Sequence, residues 1–430
     1  LIHIMGFAKA FRLADIYQLS QNISKPIGMF WLLVSVLFIL STVLCLFKNE
    51  WWFVFALFGV VTSQGLIIMY WKDAKFGTIA NLIILMVMPI ICSPGKPEPF
   101  LDTHGKELNG SISEKTFVTI GSIRQGMFIK SKNTNNPVLL FLHGGMPEYF
   151  LTQKYPTGLE DYFTIVWWEQ RGAGLSYHAN IPPETMTSEQ MINDAVELTN
   201  YLRHRFNQEK IYLMAHSGGT FFGIQTAAQH PELYHAYIGV AQITDQLKSE
   251  RLAHAYMLKR YTASGNRKMV RKLENASLID GIPDAYLKIR DKAMHELGIG
   301  TTRDMKSIIT GIFVPSLACK EYTIREKINM WRGKAKSGVS SLWDEILATD
   351  LMVKVPKLDI PVYFFAGVYD YTASYNLTKE YYDRLNAPIK GYYTFEKSAH
   401  SPIFEEPSLV KEIIEKDVLH GKIDLSDAQK

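Results

Sequence analysis

Three residue types that together perform acyl transfer stand far apart in this chain, each beside an apolar run. Ala215-His216-Ser217-Gly218-Gly219 separates an apolar stretch from a helix-like one. It is a G-x-S-x-G pentad with its first glycine replaced by alanine. A serine held on a sharp strand-to-helix turn needs small residues two positions either side, because larger ones collide with neighbouring backbone. Ala215 is the smallest departure from that pattern. The turn also sets Ser217 at a helix N-terminus, where the Gly218 N–H can stabilise a developing oxyanion.

A serine hydroxyl becomes nucleophilic when a base takes its proton, and the base needs an acid to orient it. Most of the 12 histidines suit other roles. His204 falls on a charged helix face, His230 precedes Pro231, and His3, His104 and His420 lie near termini or in a linker. His400, in Lys397-Ser398-Ala399-His400-Ser401-Pro402, follows the last apolar run, and Asp370 follows the one before it in Ala366-Gly367-Val368-Tyr369-Asp370. Earlier in the chain, Phe141-Leu142-His143-Gly144-Gly145 closes another apolar run. A His-Gly-Gly loop there supplies a second oxyanion N–H, from Gly145 or Met146, and makes His143 a structural loop residue rather than a second base.

The order Ser217, Asp370, His400 matches that of the α/β-hydrolases, and the chain resembles their proline iminopeptidase-like serine peptidases from about Thr116 to Leu419. Those carry an H-G-G-P-G loop, a D-Q-R-G-x-G-x-S segment, then G-x-S-x-G, Asp and His. The second segment stands here as Glu169-Gln170-Arg171-Gly172-Ala173-Gly174-Leu175-Ser176. The resemblance implies an aminopeptidase on short peptides, with N-terminal proline as the first residue to test. It departs in two places. Met146-Pro147 replaces Pro-Gly after the His-Gly-Gly loop, the place where an oxyanion donor would be lost. The family anchors the substrate amine on acids of its cap region, and here Asp245, Glu250, Glu274 and Glu296 all qualify, with Glu250 and Asp245 taken as the substrate-binding pair.

These side chains need a frame. Short apolar runs at Thr116–Ile120, Gly126–Lys130, Val138–Leu142, Phe163–Trp168, Lys210–Met214, Ala236–Ala241, Pro361–Phe365 and Tyr392–Phe395 read as strands. Helical stretches alternate with them; Thr187 with Gln190 opens one as a capping box, and Ser408–Leu419 closes the chain as an amphipathic helix. The expected fold is α/β, a mostly parallel eight-stranded α/β-hydrolase sheet flanked by helices. Residues 111–243 and 358–430 form its core, and residues 244–357, without strand signal, form a helical lid over the strand C-termini, where such sheets bind ligands.

Ahead of this lies a different composition. Of the net charge of +4, all falls within the first 96 residues, leaving the remainder formally neutral, with no electrostatic footprint for nucleic acid. Ile27 to Phe47 and Trp51 to Trp71 run without a charge, each long enough to span a bilayer, and Gly77 to Cys92 is a weaker third span containing Asn81 and Pro89. Trp51, Trp52, Tyr70 and Trp71 fall at the ends of the second span, where amphipathic rings prefer the headgroups. Residues 1–92 thus read as a membrane anchor and 93–110, rich in Pro and Gly, as a linker. With three spans, Lys9, Arg12, Lys25, Lys72 and Lys75 oppose Lys48, Lys96 and Lys106, which puts the main body outside the cytoplasm; two spans would keep it inside. The chain opens on Leu1, and Met5 is an alternative start.

At 47% hydrophobic and 20% charged, the chain is not of disordered composition, and 3 cysteines make no disulfide framework; Cys45 and Cys92 fall in apolar segments as packing residues. Without an H-E-x-x-H or Gly-rich phosphate loop, no metal or cofactor is expected. The expectation is a membrane-anchored serine hydrolase acting on a small peptide or ester. Its rivals are a carboxylesterase or lipase of the same fold and a catalytically degraded fold used as a binding protein. A channel or transporter is disfavoured, since the apolar segments hold no ionisable group.

Overall fold

Val138–Leu142 illustrates how the hydrophobic runs are used: all five residues are buried, alternately on the two faces of a sheet covered on both sides. The computed structural model describes every residue except 1, 18, 48, 50, 92–94, 280, 338–340 and 430. The chain divides into two units, Leu1–Gly95 and Lys96–Lys430.

In the second unit, eight strands form one sheet among the described residues: β1 (Ile112–Ile120), β2 (Ile123–Ser131), β3 (Val138–Leu142), β4 (Thr164–Glu169), β5 (Ile211–His216), β6 (Tyr234–Val240), β7 (Val362–Gly367) and β8 (Lys390–Phe395). Their order is β1-β2-β4-β3-β5-β6-β7-β8, with β2 antiparallel to both neighbours and β3 to β8 parallel. This is the α/β-hydrolase fold. β1 begins earlier than the apolar signal does. Its Ile112-Ser113-Glu114-Lys115 start belongs to an edge strand, where polar residues are tolerated on the solvent side.

Register brings the loops of interest together. Leu142 of β3 pairs with Ala215 of β5, so the chain leaves both strands side by side at His143 and Ser217. Gly367 of β7 pairs with Phe395 of β8, so the segments bearing Asp370 and His400 also emerge as neighbours. β6 lies between β5 and β7. One face packs Leu140, Leu142, Leu213 and Ala215 under helices Ser188–Arg205 and Gly218–Gln229; the other packs Leu139, Phe141, Tyr212 and Met214.

Between β6 and β7 the described residues hold helices and no strand: Gln246–Ala263, Arg267–Glu274, Asp284–Glu296, Val314–Ala318, Ile324–Ser337, Ser341–Ala348 and Leu351–Lys354. Several share a small core of their own around Met257, Leu273, Tyr286 and Met294. In the Pro- and Gly-rich segment ahead of β1, Leu101 bridges Glu107 and the Leu108 amide bonds the Phe100 carbonyl at 2.7 Å, a small hairpin where irregular chain was expected.

In the first unit, Lys25–Leu46 and Trp52–Met69 are long and apolar enough to cross a membrane. The helix Gly77–Ile91 is shorter, and its Asn81 is satisfied by Ser63 at 3.1 Å and Gln64 at 3.0 Å. Ile39, Phe58, Val61 and Ile68 stand exposed on the outer faces of these helices. Cys45 is half-buried, and Cys92 lies outside the described residues.

Candidate active site

Ser217 has φ 53° and ψ −127°, a left-handed conformation that an L-residue adopts at a cost of about 1–3 kcal/mol. The turn that imposes it leaves no space at the last position of the pentad. A Cβ on Gly219 would come within 2.5 Å of the carbonyl oxygens of Leu142 and His143. Ala215 at the first position is accommodated because Gly223 faces it; a Cβ there would meet the Ala215 methyl at 2.9 Å.

The His400 Nε2 lies 2.7 Å from Ser217 Oγ, and its Nδ1 lies 2.9 Å from Asp370 Oδ2. The other carboxylate oxygen of Asp370 accepts from the Thr372 and Ala373 amides at 2.8 and 3.0 Å, which fixes the carboxylate in one orientation. Glu405 fixes the histidine loop: its carboxylate accepts from the amides of Ala399 at 2.8 Å and Ser401 at 3.4 Å, either side of His400. Burial pushes the Glu405 carboxyl up to about 7 against those bonds.

Two residues beneath the site were not singled out by sequence. His216, the variable position of the pentad, lies 2.8 Å from both Glu148 oxygens through Nδ1 and 2.7 Å from the His400 carbonyl through Nε2. Both ring nitrogens face acceptors, so both carry protons. Burial opposes that charge, but Glu148 and the carbonyl outweigh it, and the His216 pKa rises. Glu148 is likewise held below its ordinary value, its burial being outweighed by His216. The same carboxylate accepts from the Gly144 amide at 3.1 Å, so one buried ion pair braces both the His143–Gly145 loop and the backbone at His400. Glu148 lies only five residues past His143, but nothing in that spacing reveals its partner.

His143 behaves as a structural residue. Its Nε2 accepts from the Gln170 amide at 3.2 Å, so the Nδ1–H donates to the Gly144 carbonyl at 2.8 Å. Burial lowers its pKa to about 4, in keeping with that neutral tautomer. The Glu169–Ser176 segment thus braces the His-Gly-Gly loop. It is anchored in turn by a buried Arg171–Asp194 pair at 2.8 Å and by Glu169, which accepts from the Leu175 amide at 2.6 Å and from the Tyr322 hydroxyl. The Gly145 nitrogen lies 3.7 Å from where a Cβ on Gly218 would stand, so the two expected oxyanion donors are neighbours.

A cavity of about 980 Å³ opens over Ser217, at the upper end of the range for small-molecule sites. Met146, Met186, Phe222, Trp331 and Trp343 line it, with Glu148, Glu184 and Asp291 as acids. Neither proposed substrate-binding acid lines it. Asp245 caps the helix Gln246–Ala263, accepting from the Lys248 amide at 2.9 Å. Glu250 is buried behind the cavity wall, held by Arg290 through two bonds of 2.7 and 2.6 Å and by the Tyr286 hydroxyl at 2.9 Å. With Gln246 also donating to it at 2.9 Å, each Glu250 oxygen already accepts two hydrogen bonds, which leaves nothing for a substrate amine. Glu274 and Glu296 are absent from the lining as well.

Residues 134–285 match the family model described as serine aminopeptidase, S33. The chain is 31% identical over 323 residues to the probable aminopeptidase YbaC of Bacillus subtilis (strain 168), an alignment covering 72% of this chain and 98% of that protein. Among solved structures it is similar to VinJ, at 16% identity and TM-score 0.51 over 72% of this chain and 99% of that one. It is also similar to a proline iminopeptidase-related protein of Thermus thermophilus, at 18% identity and TM-score 0.48 over 71% and 98%. At 16% identity the likeness to VinJ speaks for the fold alone. The sequence relationship goes further, and the chain belongs to the α/β-hydrolase superfamily, within its serine aminopeptidase-like family.

Proposed function

We propose that this protein is a membrane-anchored serine aminopeptidase that removes the first residue of short peptides, proline being the first to test. The observation that carries the reading is the unbroken hydrogen-bonded line from Ser217 through His400 to Asp370. In this scheme Ser217 Oγ attacks the carbonyl carbon while His400 Nε2 takes its proton. The tetrahedral oxyanion is held by the Gly218 N–H with that of Gly145 or Met146. His400 then returns the proton to the leaving amine, and water repeats the sequence on the acyl-enzyme. Asp370 keeps the Nδ1 proton in place and stabilises the imidazolium.

Asp291, on the cavity wall, is the acid suited to a substrate ammonium. Arg290 donates to it at 2.8 Å, and burial, which opposes its charge, is outweighed by Arg290 and Lys334, so it stays ionised. The apolar Lys25–Leu46 and Trp52–Met69 helices support the anchor, and the lysine and arginine count supports an extracytoplasmic catalytic unit.

The size and apolar lining of the cavity favour a second reading, an esterase or lipase with the same triad. Kinetics on a prolyl peptide and its N-acetylated form separate the two. Turnover abolished by acetylation supports an aminopeptidase; indifference to acetylation, with faster turnover of acyl esters, sinks it.

A further inference from the structure

The segment that follows the apolar N-terminal helices is pinned to the lid. Glu98 lies seven residues past Ile91, the end of the helix Gly77–Ile91, a reach of about 25 Å at full extension. The Glu98 amide donates to Glu321 at 2.7 Å, and its carbonyl accepts from Lys130 at 2.9 Å. Glu321 belongs to the connection between two lid helices, Ile309–Ala318 (a π turn running into Val314–Ala318) and Ile324–Ser337. Trp331 joins them: its ring packs edge-on against Phe313 at 5.0 Å, and its Nε1 donates to Ser316 at 3.0 Å. Ile308, Ile312 and Trp331 line the cavity. Outside that lining, the pair leaves apolar side chains uncovered. Ile309 and Val314 are 64% and 51% exposed, and Phe313, Ile324 and Ile328 are exposed as well. Single exposed apolar residues are ordinary, but a group of them on two joined helices marks an interaction surface.

We propose that this helix pair docks the catalytic unit onto an anionic lipid bilayer, the one that holds the chain's own anchor. The inference rests on the membrane-anchor part of the reading above and extends it to the lid. Two observations name a bilayer as the occupant. The first is the tether: seven residues of chain lead from the last apolar helix of the anchor to Glu98, which is bonded to the loop between the two lid helices. The second is charge. Residues 306–337 carry seven lysines and arginines against Glu321 and Glu326, while the chain past residue 96 is formally neutral as a whole. Both acids are engaged: Glu321 takes the Glu98 amide and the Tyr149 hydroxyl, and Glu326 pairs with Lys115 at 2.8 Å. Lys306 and Lys320 flank the first helix, and Arg325 and Arg332 follow Ile324 and Ile328 by one residue and one turn; all four are exposed. Isoleucine and phenylalanine bordered by basic side chains make the kind of amphipathic surface that lies in a layer of anionic headgroups.

The test uses the full-length chain in vesicles of phosphatidylcholine, with and without phosphatidylglycerol. A nitrobenzoxadiazole label is placed at Ile309→Cys or, as control, at Asp383→Cys, with Cys45 and Cys92 replaced by serine and the buried Cys319 kept. Asp383 is exposed on the helix Tyr375–Arg384, which packs beside β8 on the other face of the sheet from Tyr322 and Met330. Quenching by doxyl-labelled lipid is expected at residue 309 and not at 383. It should be stronger with phosphatidylglycerol and weaker in Arg325→Glu/Arg332→Glu, with circular dichroism checking that the variant folds. No quenching at 309, equal quenching at both positions, or quenching indifferent to phosphatidylglycerol and to the charge reversals overturns the proposal. So does blue-shifted emission at 309 without quenching, which would mean that protein, a second copy of the chain above all, covers the face. The anchor is read separately, by flotation after an alkaline carbonate wash. A chain washed off the vesicles loses the anchor reading, and docking then stands if quenching at 309 was present before the wash and falls if it was not.

Discussion

Replacing Asp370 by asparagine reverses the direction of a proton, and the structure says which way. One carboxylate oxygen already accepts from the Thr372 and Ala373 amides at 2.8 and 3.0 Å. An NH2 group placed there would set donor against donor, so the asparagine oxygen takes that position and its nitrogen faces His400. His400 Nδ1 must then accept, which puts the ring proton on Nε2, the atom 2.7 Å from Ser217. A protonated Nε2 cannot take the serine proton. Loss of the correct tautomer in this type of triad lowers turnover by about 10⁴-fold, or about 5.5 kcal/mol of barrier. The assay is the second-order rate of fluorophosphonate labelling, with hydrolysis of an activated ester in parallel. Because no side chain is lost, the fold should persist, and circular dichroism of the variant should superpose on wild type. A fall of less than about tenfold, in a folded variant, would refute the tautomer argument.

Glu148→Gln should destabilise the protein by about 3–5 kcal/mol, because it strands the buried His216 charge. Removing both residues should cost less than removing Glu148 alone, and purely additive costs in thermal inactivation would dismiss the pair. Glu169 makes a prediction in pH. Burial pushes its carboxyl up to about 8, against its bonds from Tyr322 and Leu175. The folded chain therefore holds a proton that the unfolded chain has released, and stability falls as pH rises between the ordinary carboxylate range and about 8, then levels off. Glu169→Gln should remove this slope, so its stability relative to wild type should grow from pH 5.5 to 8; a constant difference in denaturant midpoint would count against the protonated acid.

What the sequence reveals most clearly is what depends on neighbours along the chain. β3 and β5 announce themselves as short apolar runs because both of their faces are buried, and the pentad after β5 needs its small residues for steric reasons local to the turn. Asp370 and His400 were found by position, each just past a strand. The first half of β1 was missed because an edge strand mixes polar residues into its pattern. The lid acids show the limit more sharply. Asp245, Glu250 and Asp291 are all carboxylates on one helical insertion, and composition treats them alike. Only packing decides that Arg290 takes Glu250, that Asp245 is used as a cap, and that Asp291 faces the cavity. His216 was in plain view as the variable member of the pentad, but its role depends on Glu148 and on the His400 carbonyl, contacts that no spacing encodes.

The central claim is that Ser217 is an activated nucleophile. Its most direct test is labelling with a membrane-impermeant fluorophosphonate, on intact cells and after lysis, followed by peptide mapping in wild type and Ser217→Ala. The account predicts one modified residue, Ser217, labelled on intact cells, with no labelling in the variant. Labelling only after lysis would place the catalytic unit inside the cell and leave the chemistry standing. No labelling of folded wild-type protein under either condition, or modification unchanged in Ser217→Ala, would contradict the claim.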